Sequence, residues 1–80
     1  MRIEGHEYSV LMGSDLERDG MYLELYDGAD ACGSPVAECF YSDLDGSMSI
    51  TEYQRGVARA ALEWLSEEGA RRLPPSERTV

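Results

Sequence analysis

The stretch Val36-Ala37-Glu38-Cys39-Phe40-Tyr41-Ser42-Asp43-Leu44-Asp45-Gly46-Ser47-Met48-Ser49-Ile50-Thr51 decides the fold. Its first six residues are short, β-branched and aromatic, and Asp43-Leu44-Asp45-Gly46 supplies turn residues. Met48 to Thr51 then alternates apolar with polar, as a half-buried strand does. Beyond it the period changes. Ala58, Ala61, Leu62, Leu65 and Leu73 recur at helical spacing, with Val57 and Trp64 beside them. A hairpin feeding an amphipathic helix is the simplest reading.

Upstream, Met21-Tyr22-Leu23-Glu24-Leu25-Tyr26 is the clearest strand, with Met21, Leu23 and Leu25 on one face and Tyr22, Glu24 and Tyr26 on the other. Tyr8 to Met12 reads as a strand joined to it through a polar loop ending at Asp19-Gly20. Asp27 to Pro35 reads as a loop. The Val36–Tyr41 strand has two possible parities, and turning Ala37, Cys39 and Tyr41 inward keeps the Glu38 carboxylate out of an apolar core. Val36, Glu38 and Phe40 then face outward beside Tyr22, Glu24 and Tyr26, while Met48 and Ile50 face the core. The helix could begin after a Thr51/Gln54 capping box or nearer Gly56, and the glycine favours the later start. Arg59–Glu63 and Glu67–Arg71 are available as ion pairs along its outer face. Pro74-Pro75 ends it.

The fold class expected is therefore α+β: an antiparallel sheet of about four strands packed on one face by a single C-terminal helix. Residues 1–73 would form the one domain, with 74–80 as a tail. The buried set would include Leu23, Leu25, Ile50, Leu62 and Leu65. An 80-residue chain buries only about 60% of its unfolded surface, so its margin of stability is thin.

Charge is the outlying property. Sixteen acids oppose seven arginines, with no lysine, for a net of −9. Residues 1–52 hold twelve acids and two arginines, while residues 53–80 hold four acids and five arginines. The sheet half is thus the source of the negative field. Direct contact with nucleic acid needs a basic surface and is not expected there; a basic protein partner would be attracted.

Chemistry finds few residues to work with. His6 is the only histidine and sits near the N-terminus, and no serine or cysteine lies in a nucleophile motif. No catalytic residue and no cofactor is expected. The run from Asp43 partly matches a calcium loop, but each register loses a principal ligand: Gln54 stands at the bidentate position in one, Tyr41 at the first position in the other. A metal-free turn is the expectation. Cys32 and Cys39 lack metal or disulfide-framework spacing and read as free thiols. No stretch approaches the ~20 apolar residues of a membrane span, and no signal-peptide run opens the chain, so the expected setting is cytoplasmic.

Two surfaces remain as partner-binding candidates. The outward face would present Tyr22, Tyr26 and Phe40 interleaved with Glu24 and Glu38, either as an open patch of a composition favoured at interfaces or as cross-strand aromatic pairs that only stabilise the sheet. Asp27, Asp43 and Asp45 would add carboxylates from the loops.

The segments Leu23-Glu24-Leu25-Tyr26, Ala37-Glu38-Cys39-Phe40, Asp45-Gly46, Met48-Ser49-Ile50, Glu63-Trp64-Leu65 and Arg71-Arg72-Leu73 resemble those of small, uncharacterised acidic bacterial α+β proteins. In size, acidity and build the chain is also similar in type to phage-encoded anti-CRISPR proteins. That likeness implies a non-enzymatic inhibitor whose carboxylates replace phosphates on a basic, nucleic-acid-binding defence complex. The alternative is a structural or regulatory interaction module, antitoxin-like or an assembly partner, using the aromatic face.

Overall fold

The computed structural model describes residues 1–75, in the order β1 (Arg2–Ile3), β2 (His6–Asp15), β3 (Gly20–Asp27), β4 (Ala37–Ser42), β5 (Met48–Glu52) and α1 (Arg59–Arg72). The strands form one curled antiparallel sheet in sequence order, and a single helix follows it. The α+β class and the antiparallel sheet hold; the strand number expected, about four, becomes five. The additional strand is β1, which folds back on β2 through Glu4-Gly5, both at positive φ (52° and 79°). Tyr8 N–H extends that pairing by donating to Met1 O at 2.7 Å. The tail expected at 74–80 lies mostly outside the described residues.

Register decides the two faces. Val10, Leu25 and Ala37 form one inward row, Leu23, Cys39 and Ile50 a second, and Met21, Tyr41 and Met48 a third. This is the parity expected from keeping Glu38 off the core side. Leu65, Ala61 and Leu73 of the helical end pack onto it, so Leu23, Leu25, Cys39, Leu65 and Leu73 are fully enclosed.

Four expectations about packing need correction. Ile50 is 39% exposed and Leu62 only half-buried, because α1 packs chiefly on β4 and covers edge strand β5 only in part. Val36 is buried in the core. It lies just before β4, where the chain departs from the ladder: its N–H bonds Leu25 O, and its carbonyl accepts Tyr53 and Gln54 N–H. Of the two helix starts, the later one favoured by Gly56 is found: Thr51 pairs with Glu38 inside the sheet, and α1 starts at Arg59 with no side-chain cap. Among the described residues the helix-surface ion pairs are Arg71–Glu68 and Arg72–Glu68 in place of the two expected.

Gly69 is where helix meets sheet most closely. A Cβ there would collide with Cys39 Sγ and stand 3.1 Å from Cys39 Cβ and 3.3 Å from Met48 Cε. Helix propensity alone would make Gly69→Ala stabilising by about 1 kcal/mol. Overpacking reverses the sign: the substitution is expected to destabilise by about 1–3 kcal/mol in chemical denaturation, with partial recovery in Cys39→Ala/Gly69→Ala. A stabilised Gly69→Ala protein would show that α1 sits farther from the sheet.

Candidate protein-binding surface

On the outer sheet face Glu24 and Glu38 stand directly opposite each other on β3 and β4. The hydrogen-bonding alternation makes this a non-hydrogen-bonded pair, the type that brings side chains closest. Two carboxylates so placed repel, and the sequence supplies one remedy. Arg18 is the only arginine between Arg2 and Arg55. From the β2–β3 loop its guanidinium reaches back over the sheet and donates to both Glu38 oxygens, at 3.0 and 2.8 Å. Its Nε donates to Asp15 Oδ2 at 2.6 Å, and its Cζ stands over the Phe40 ring, 4.1 Å from the ring centre. Tyr53 Oη donates to Glu38 Oε1 at 3.2 Å, leaving Glu38 2% exposed. Glu24 is answered separately by Tyr26 Oη at 2.7 Å, a bond that together with burial pushes the tyrosine up to about 12.

The rings are accounted for in the same way. Tyr22 lies over Gly13 and Phe40 over Gly20, and a Cβ at either glycine would enter the ring. These aromatics fill the sheet's own surface. The open aromatic patch expected from the strand pattern is therefore corrected: Tyr26 and Glu38 are buried, and Tyr22, Glu24 and Phe40 are half-buried within an internally satisfied layer. The strand pattern could not show this, because the arginine that covers the layer comes from a loop.

The remaining three candidates separate. Asp27 is at the end of the sheet near β1, where its Oδ1 is 2.5 Å from His6 Nε2 and the His6 ring stacks obliquely on Tyr8. A cleft of about 250 Å³ opens beside this pair, lined also by Arg55 and Val57. Among the described residues no serine, threonine or cysteine lines it. Cys39 is remote from it, and burial pushes its thiol up to about 11.

Asp43 and Asp45 lie at the opposite end. The β4–β5 turn is a closed hairpin: Ser42 and Ser47 are bonded, Gly46 sits at φ 74°, and Asp45 Oδ1 accepts Ser47 N–H at 3.0 Å. That bond holds the Asp45 carboxyl below the usual range. Among the described residues no three histidine, cysteine or acidic side chains converge as a metal site would require. Asp43 N–H donates to Asp19 O at 2.9 Å, which joins this turn to the β2–β3 loop. Asp15, Glu17, Asp19, Asp43 and Asp45 thereby share one end of the sheet, and Arg18, which stands among them, is held by Asp15 and Glu38. Leu16 and Leu44 project from the same two loops, 92% and 76% exposed.

Sequence reading missed Asp15, Leu16, Glu17, Asp19 and Leu44 as members of one surface. A signal was present: Asp15-Leu16-Glu17 and Asp43-Leu44-Asp45 each set a leucine between two acids. Only the bond between the loops puts them side by side. No protein-family model, curated protein or solved structure matches the chain.

Proposed function

We propose that this protein is a non-enzymatic inhibitor whose acidic sheet end occupies a basic, nucleic-acid-binding surface of a bacterial defence complex, in the anti-CRISPR manner. The observation that carries the reading is the joined pair of acidic loops, whose own arginine, Arg18, is committed internally. Such an end attracts arginine- and lysine-rich surfaces and repels nucleic acid itself and anionic membranes. Carboxylates held on two rigid hairpin ends can meet side chains already arranged for phosphates. The setting of such an inhibitor is the cytoplasm, and it uses no cofactor. Asp43, Asp45, Glu17 and Asp19 are the residues assigned to contact; Glu24, Glu38, Tyr22, Tyr26 and Phe40 maintain the sheet that holds them.

The test is competition. Protein captured from a bacterial lysate by the wild-type chain is given its own labelled DNA or RNA, and this protein is added in excess. Release of the label is expected. Glu17→Lys/Asp43→Lys should lower the association rate by roughly tenfold or more at low salt, and the difference should shrink as salt rises. A stable ternary complex that retains the nucleic acid would overturn mimicry.

A further inference from the structure

The cleft of about 250 Å³ lies at the end of the sheet away from the acidic loops and takes no part in their surface. Two separate pieces of chain wall it. Glu4, His6 and Asp27 come from the β1–β2 hairpin and the end of β3, while Arg55 and Val57 come from the segment between β5 and α1. The walls carry opposite charge and do not neutralise each other. Among the described residues neither Arg55 nor Glu4 forms an ion pair. Asp27 is held through Oδ1 by His6 Nε2, which fixes the carboxylate and leaves its second oxygen for another cation.

The rest of the lining is apolar, with Ile3 on one side and Val57 on the other. Tyr8 also lines the cleft and is only 6% exposed, yet its hydroxyl has no hydrogen-bond partner among the described residues. Buried polar groups ordinarily have one, so this hydroxyl is available to a ligand. Ala58 brings the opening of α1 to the Arg55 wall, and that opening has neither a side-chain cap nor an acid in its first turn. Its first N–H groups therefore add partial positive charge on the same side as the guanidinium.

We propose that this cleft binds a free α-amino acid with an apolar side chain. Its ammonium meets Asp27 and Glu4, its carboxylate meets Arg55, and its side chain lies on Ile3 and Val57. The charge pattern selects this class. A simple anion entering the cleft would meet Glu4 and Asp27, and a simple cation would meet Arg55; a zwitterion answers both walls. A peptide terminus brings only one of the two charges. The apolar lining adds the requirement for a hydrocarbon side chain, and the volume falls below the roughly 300–1,000 Å³ of pockets for drug-sized ligands, which suits a molecule of leucine size.

The test is a titration of the isotope-labelled full chain with L-leucine, followed by amide NMR at fixed pH and physiological ionic strength. Saturable shifts are expected at Tyr8, Arg55, Gly56 and Val57, with Gly46 at the far end of the sheet unmoved. Two analogues each remove one charge: L-leucinamide keeps the ammonium, and N-acetyl-L-leucine keeps the carboxylate. Each should bind roughly tenfold or more weakly than L-leucine. Arg55→Gln should weaken L-leucine by a similar factor while leaving L-leucinamide nearly unaffected. Glu4→Gln/Asp27→Asn should weaken L-leucine likewise and spare N-acetyl-L-leucine. All three side chains are exposed, so these variants keep the fold. Glycine, lacking the hydrocarbon, should bind more weakly than L-leucine. The proposal is overturned if millimolar L-leucine gives no saturable shift at these residues. It is equally overturned if L-leucine and L-leucinamide bind alike, or if L-leucine binding is indifferent to both variants.

Discussion

Arg18→Ala is expected to destabilise the protein by about 2–4 kcal/mol in chemical denaturation. Removing the arginine leaves a buried carboxylate without its partner, a cost moderated because the Arg18 side chain is itself 44% exposed. Glu38 would retain only the Tyr53 hydroxyl, directly opposite Glu24. The Phe40 ring would lose the guanidinium above it, a further loss of about 0.5–1 kcal/mol included in the range. The diagnostic variant is the double one. Arg18→Ala/Glu38→Gln removes the stranded charge and should recover at least about 1 kcal/mol over Arg18→Ala alone. Equal stability of Arg18→Ala and wild type would mean that Glu38 finds solvent, and that the outer face is open after all.

Leu65→Ala carries the other large effect, about 2–5 kcal/mol. Leu65 is fully enclosed between α1 and the sheet, and its neighbours are held by strand register and cannot collapse into the gap. An 80-residue domain has only roughly 4–12 kcal/mol of total stability, so this variant should sit close to unfolding at moderate temperature. Leu62→Ala is the control. Leu62 is half-buried at the rim of the same cluster, and its truncation should cost less than half as much. A reversed order would mean that α1 is rotated about its axis relative to the sheet.

Together the two experiments separate the layers of the molecule. The Leu65 variant tests the apolar core under the helix, and the Arg18 variant tests the polar layer on the opposite sheet face. The second has a functional corollary. Because Arg18 is tied to Asp15 and Glu38, it contributes little positive charge to the end of the sheet where Glu17, Asp19, Asp43 and Asp45 stand. Loss of the arginine should therefore alter folding far more than partner attraction.

Alternation along Met21–Tyr26 and Met48–Thr51, the Asp-Gly turns and the helical spacing after Val57 were enough to determine an antiparallel sheet, its inward parity and one following helix. These are local properties: side-chain period, turn chemistry and the cost of burying one carboxylate act within a few residues. Strand β1 escaped because two paired residues leave no period to detect. Composition likewise located the acidic half, since charge is additive along the chain. Which carboxylates face outward is a different kind of fact. Glu38 sits on the face that alternation assigns to it and is nevertheless enclosed, because Arg18, twenty residues earlier, folds over the sheet to reach it. Asp19 and Asp43 act as one surface because a backbone bond joins two hairpin ends that the sequence keeps far apart. Ile50 has the pattern of a core residue and stays half-open because a single helix cannot cover every strand of a curled five-stranded sheet. Local patterns prescribe the side of an element on which a residue lies; only the packed chain decides what covers that side.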